Sequence, residues 1–109
     1  HSDPLRRLID ELEKAPAKNW TLAQMASSTG LSVSHFRALF KARHGQSPVR
    51  FFQSLRMREA ARFLRETEWP IKQIAQQFGF KELPHFYRAF HSIHRATPAR
   101  YRKEFCGWA

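Results

Sequence analysis

Apolar residues recur at helical spacing along most of the chain, and nowhere do they alternate as a half-buried strand requires. Leu5, Leu8, Ile9 and Leu12 form one stripe. Asp3 precedes it as an N-cap, with Pro4 at the first helical position, where a missing N–H costs nothing. This predicts a helix over 4–15, ended by Ala15-Pro16-Ala17. Thr21 followed by Gln24 has the form of a capping box, and opens a helix to about residue 28 that stops at Gly30. Ser32 or Ser34 then caps a third helix to about 43, with Phe36, Leu39 and Phe40 facing inward. Ser47-Pro48 opens a fourth over 48–65, whose expected core positions are Val49, Phe52, Leu55, Ala60 and Phe63. After a break at Glu68-Trp69-Pro70 come a helix over 71–78, a turn at Gly79 and a helix over 83–93 with Pro84 in its first turn. A short last helix from Thr97-Pro98 carries Tyr101 and Phe105. The pattern predicts an all-α fold of seven helices.

The second half of this pattern repeats the first. Trp20, Leu22, Ala26, Gly30, Leu31, Phe36, Phe40 and Pro48 are answered by Trp69, Ile71, Ala75, Gly79, Phe80, Phe86, Phe90 and Pro98. The offset is 49 up to the glycines and 50 from the phenylalanines onward, so one residue is inserted between Gly79 and Phe86. Each copy is a short helix, a glycine turn and a second helix, the layout of a helix-turn-helix. The predicted organisation is an N-terminal helix (1–17) packing on a first helix-turn-helix (18–47), a long linker helix (48–66) and a second helix-turn-helix (67–109).

Composition narrows what such a chain does. With 109 residues, 42% of them hydrophobic and ten Phe, it has enough apolar material for a modest core. Nineteen Lys and Arg against nine Asp and Glu leave a net charge of +10, a self-repulsion that a polyanion relieves. The excess sits on the repeats: Glu59 is the one acid over 31–65 and Glu82 the one acid over 72–103. The single cysteine, Cys106, excludes an internal disulfide and is expected to be a small, partly buried residue. No apolar run reaches membrane-spanning length and no signal peptide is visible, which fits a cytoplasmic protein. The sequence starts His-Ser rather than Met, as expected of a piece of a longer protein.

A helix-turn-helix presents the N-terminal residues of its second helix to base edges in the major groove. Here Gly30 and Gly79 supply the turns, Ala26 and Ala75 the close helix crossings, and the paired Phe residues the inward faces. A helix from Pro48 to about residue 65 spans roughly 27 Å at ~1.5 Å per residue. That length is expected to hold two reading helices about one DNA turn apart, roughly 34 Å.

The chain resembles the DNA-binding domain of AraC/XylS-type transcription regulators. The resemblance rests on Leu31-Ser-Val-Ser-His-Phe-Arg-Ala-Leu-Phe-Lys with Gly45-Gln-Ser-Pro48, and on Leu55-Arg-Met-Arg-Glu-Ala-Ala in the linker. In the second copy it rests on Ile71-Lys-Gln-Ile-Ala-Gln-Gln-Phe-Gly-Phe, His85-Phe-Tyr-Arg-Ala-Phe and Thr97-Pro-Ala-Arg-Tyr-Arg102. It implies sequence-specific binding of double-stranded promoter DNA by two units in successive major grooves. Transcription regulation, most often activation, contact with RNA polymerase and a preceding effector or dimerisation domain are implied with it. By position, the expected base contacts are Ser34, His35, Arg37 and Ala38, then Glu82, His85, Tyr87 and Arg88. Arg37 and Arg88 lead, because a guanidinium bonds two acceptors of guanine at once. Expected phosphate contacts are Lys41, Arg56, Lys81 and Arg100. Three positions depart from the family pattern: Ala38 stands where Arg is frequent, Pro84 where a polar residue is usual, and Arg95 where glycine is common.

Other readings are weaker. The Phe and Trp residues are expected in the core rather than as base-stacking platforms, and Arg58, Arg62 and Arg65 on a solvated helix face. His91 and His94 lie i, i+3 but lack partners at ligand spacing, so they are expected at the surface or on phosphate, and no metal or cofactor is expected. No Gly-rich phosphate loop, carboxylate pair or nucleophile framework points to an enzyme. A helical module binding an acidic protein partner through its basic face is the alternative, but it has no need of two matched glycine-turn units. RNA ranks third, since an A-form major groove does not admit a helix.

Overall fold

The computed structural model describes residues 3–105, so Cys106 and the expectation attached to it lie outside the described residues. Within them the chain forms seven helices and no strand: α1 Pro4–Lys14, α2 Leu22–Thr29, α3 Val33–His44, α4 Pro48–Glu66, α5 Ile71–Gln77, α6 Leu83–His94 and α7 Pro98–Phe105. No helix among the described residues is long and apolar enough to cross a membrane.

Most helix starts follow the local chemistry. Asp3 accepts from the Leu5 amide at 3.0 Å, with Pro4 at N1. Thr21 and Gln24 close a reciprocal box, at 3.1 Å and 2.9 Å. Ser32, not Ser34, caps α3 by accepting from His35 N at 3.2 Å. Ser47 and Thr97, equivalent in the repeat, accept from Arg50 N and Arg100 N, each at 3.2 Å. These bonds satisfy amides that a helix N-terminus otherwise leaves without partners.

Where the chain leaves α2, α3 and α6 it turns left-handed. Gly30 has φ 77°, Gly45 φ 75° and Gly79, after α5, φ 85°. Arg95, the repeat counterpart of Gly45, has φ 58° and is the one non-glycine among the described residues with positive φ. The departure from glycine noted in the sequence is therefore a strained helix cap, since a Cβ in this region costs roughly 1–2 kcal/mol.

The chain divides inside α4, between Gln53 and Ser54, into two compact units. In the first, α1 packs on α2 and α2 on α3. Its core holds Leu5, Leu8, Leu12, Met25, Ala26, Phe36 and Phe40, each at most 1% exposed. In the second, α5 packs on α6 and α6 on α7, around Met57, Ala60, Ala61, Leu64, Ile74, Phe78, Phe86 and Phe90. Fully burying a phenylalanine contributes about 1.5–3 kcal/mol, so Phe36, Phe40, Phe78, Phe86 and Phe90 supply much of the driving force.

The inward face of α4 differs from the expected one. Val49 is 52% exposed, because at the start of α4 it is Pro48 that turns inward. Phe63 is half-buried, ring edge against Trp69 at 5.2 Å and Phe78 at 5.6 Å. Met57, Ala61 and Leu64 are buried beyond the expected positions. Arg65 was expected in solvent but is half-buried, donating to the Tyr101 hydroxyl at 2.9 Å. Arg102 completes this junction by donating to the carbonyls of Leu64 (3.1 Å) and Thr67 (3.2 Å). Arg62 lies on the exposed face and pairs with Glu59 and Glu66.

Candidate nucleic-acid interface

The repeat places α3 and α6 as equivalent second helices, each riding on two buried rings. Phe36 and Phe40 lie edge-on at 5.7 Å in one, and Phe86 and Phe90 lie tilted at 5.9 Å in the other. Each inner row then ends on a histidine and an aromatic from the next helix: Phe40–His44 at 4.5 Å with Phe51, and Phe90–His94 at 4.4 Å with Tyr101. With one face fixed this way, the opposite face of each helix must point to solvent.

On α3 that outer face carries Ser34, His35, Arg37, Ala38 and Lys41, all exposed. Ser34, Arg37, Ala38 and Lys41 come together around one shallow concavity that Ser47, expected only as a helix cap, also lines. His35 is exposed but outside that concavity. On α6, Glu82, His85 and Arg88 are exposed and Tyr87 is half-buried, its ring 6.5 Å from that of Phe86. Tyr87 and Arg88 line a second concavity with Leu83 and Pro84, neither of them among the expected contacts. Glu82 and His85 lie outside it. The signal for the missed residues was the offset of 50, which maps Ser34 onto Pro84 and Ser47 onto Thr97. Thr97 in turn lines a third hollow, with Ala99, Arg100, Lys103 and Glu104.

The expected phosphate contacts separate into two groups. Lys41, Lys81 and Arg100 are exposed, and Arg100 pairs with Glu104 at 3.1 Å. Arg56 is instead buried, 9% exposed, with its guanidinium 5.2 Å from the Phe80 ring centroid. Desolvation lowers its pKa. The physical reason lies in α4: residue 56 follows Phe52 and precedes Ala60 by four, so all three share the inward face. The guanidinium thus lies beneath the second turn, beside Gly79 and Phe80, instead of on the exposed surface expected of a phosphate contact. His94 moves inward as well. It is half-buried, and its Nε2–H donates to the Met57 carbonyl at 3.0 Å, which removes it from the surface role expected of it.

The comparisons with known proteins agree with this geometry. A family described as a helix-turn-helix domain matches residues 25–104. The chain is 36% identical over 92 residues to a putative AraC-like transcription regulator of Streptomyces antibioticus, covering 84% of this chain and 30% of that protein. It is 29% identical over 100 residues to the HTH-type transcriptional regulator MtrA of Neisseria gonorrhoeae, covering 92% and 33%. The chain thus spans about a third of the length of the curated relatives it matches. Among solved structures it is similar to the C-terminal domain of AraT, a response regulator from Geobacillus stearothermophilus (TM-score 0.89, 26% identity, 99% of this chain and 92% of that one). The fold is also that of the DNA-binding domain of AdpA, solved in complex with a target DNA (TM-score 0.89, 21% identity, 95% and 94%). On the match over residues 25–104 and on its regulator relatives, the chain belongs to the helix-turn-helix family, as a DNA-binding domain of the AraC/XylS type.

Proposed function

We propose that this chain binds double-stranded promoter DNA in a sequence-specific manner, with α3 and α6 entering successive major-groove segments. The observation that carries the reading is the matched pair of outer faces. Each is set on a row of buried phenylalanines and presents a guanidinium, Arg37 on α3 and Arg88 on α6. Base contacts fall to Ser34, His35, Arg37 and Ala38 in the first unit and to Glu82, His85, Tyr87 and Arg88 in the second. Lys41, Lys81 and Arg100 hold phosphates. The net charge of +10 supplies the attraction that is common to all sequences. Several relatives carry names of transcription regulators, and AdpA was solved on its target DNA, which supports the same reading here.

The finer parts of the role belong to this proposal too. The chain works as the reading part of a transcription activator, contacts RNA polymerase, and takes its orders from an effector or dimerisation domain elsewhere in a longer protein. Acting on promoter DNA puts it in the cytoplasm, and binding without catalysis is its whole activity.

Selection of bound duplexes from a random pool tests the reading. A defined site is expected, with affinity falling steeply with salt, by a slope of about 0.9 per phosphate contacted. Arg88→Ala and Arg37→Ala should each lose about 1–3 kcal/mol and relax preference at one base position. Sequence preference unchanged in both variants would overturn the assignment of α3 and α6 as reading helices.

A further inference from the structure

The two reading helices carry different chemistry at one and the same place. The α3 concavity is lined by hydroxyls and cations, Ser34, Arg37, Lys41 and Ser47, with Ala38 between them. Its counterpart on α6 is lined by Leu83, Pro84, Tyr87 and Arg88. In the repeat, Ser34 answers to Pro84, Arg37 to Tyr87 and Ala38 to Arg88. The guanidinium has therefore moved one position along, roughly 100° around the helix, and apolar groups fill the place it left. The first turn of α6 also has few free backbone amides. Pro84 has no N–H, and the His85 and Phe86 amides are taken by the Glu82 carbonyl at 3.1 Å and 3.4 Å.

Resting on the DNA-binding reading above, we propose that the α6 hollow seats the C5-methyl group of a thymine, with the Arg88 guanidinium on an adjacent guanine. The major-groove edge of a base pair offers acceptors, donors and one apolar group, and that group is the thymine methyl. The hollow is lined almost wholly by the apolar parts of Leu83, Pro84, Tyr87 and Arg88, so a methyl group loses its water there at little polar cost. The flanking charge favours the same occupant. Arg88 at the rim and the exposed Lys81 before α6 suit a polyanion and would repel a cationic partner. The α6 core residues Phe86, Ala89 and Phe90 are buried and take no part in lining the hollow.

The test replaces each thymine of the selected duplex in turn by uracil, which lacks only the methyl. For the unaltered chain, at least one thymine beside a guanine should weaken binding about fourfold when replaced, equivalent to about 0.8 kcal/mol. A variant carrying Pro84→Ser and Tyr87→Arg, the residues of the first unit, should bind the thymine and uracil duplexes equally; Pro84→Ser alone should reduce the difference. Specific binding by the unaltered chain with no thymine sensitive to replacement would overturn the methyl site and leave the DNA-binding reading standing. Absence of any sequence preference would overturn both. Self-association abolished by the double variant, without thymine sensitivity, would assign the hollow to a second copy of the chain and so overturn the proposal.

Discussion

The Nε2–H of His94 donates to the carbonyl oxygen of Met57 at 3.0 Å, tying the end of α6 to the middle of α4. The same ring stacks against Phe90 at 4.4 Å and Tyr101 at 5.3 Å, so one side chain joins three helices of the second unit. His94→Ala removes both the bond and the ring, and is expected to destabilise by about 1.5–3 kcal/mol. His94→Phe keeps the stacking and leaves a carbonyl with one partner fewer, so its loss should be about half as large. Urea unfolding of the three proteins checks the order, and equal midpoints for His94→Ala and the unaltered chain would refute it.

The two turn glycines make a matched experiment. Gly30 and Gly79 both have positive φ, so alanine is strained at either by roughly 1–2 kcal/mol. A Cβ at Gly30 meets nothing within 4 Å, whereas one at Gly79 comes to 3.2 Å from Nη2 of Arg56. That guanidinium is buried and has little room to move. Gly79→Ala should therefore lower the melting temperature more than Gly30→Ala. The reverse order would show that Arg56 yields freely.

At Arg95 the expected change is a gain. It holds φ 58° where its counterpart Gly45 holds φ 75°, and its amide donates to the His91 carbonyl as a left-handed cap. Arg95→Gly should raise stability by about 1 kcal/mol, since glycine removes the Cβ clash but widens the unfolded ensemble. A thermal melt measures it. A fall in stability would mean that the arginine side chain contributes more than its backbone costs.

Acid should weaken the first unit through Asp3. Desolvation alone would raise the pKa of this carboxyl, but the amide of Leu5 and the guanidinium of Arg43 outweigh it and hold the value below the ordinary range. A folded-state pKa below the unfolded one gives stability that is present above the unfolded value, about 3.9, and is lost as pH falls through the folded value. Melting temperature should therefore drop more steeply across that window in the unaltered chain than in Asp3→Asn, which keeps a capping oxygen without the titration. Parallel slopes would show that Asp3 is not among the groups responsible.

The helix starts were legible because their chemistry is local: Asp3, Thr21 and Ser32 cap where their side chains reach the next amides. The equivalence of α3 and α6 was legible because buried phenylalanines repeat with the frame. The inner face of α4 was harder to read. Apolar residues occupy more than one side of it, and an arginine at position 56 looks like surface until Gly79 and Phe80 are packed over it. His94 was misplaced for a related reason, since its partner is a backbone carbonyl 37 residues away that no side-chain pattern announces. The lining of the two concavities depends on Ser47 and Leu83, and on which way each helix is rotated, which spacing alone does not determine.

The division of the chain inside α4 carries a lesson for redesign. Phe52 of this helix is buried in the first unit, and Leu55, Met57, Ala60, Ala61 and Leu64 in the second. The division therefore falls within a helix, with no loop at that point where one copy could be cut out and exchanged as a cassette. New specificities must be built by resurfacing α3 or α6 in place, one outer face at a time, with the shared helix left alone.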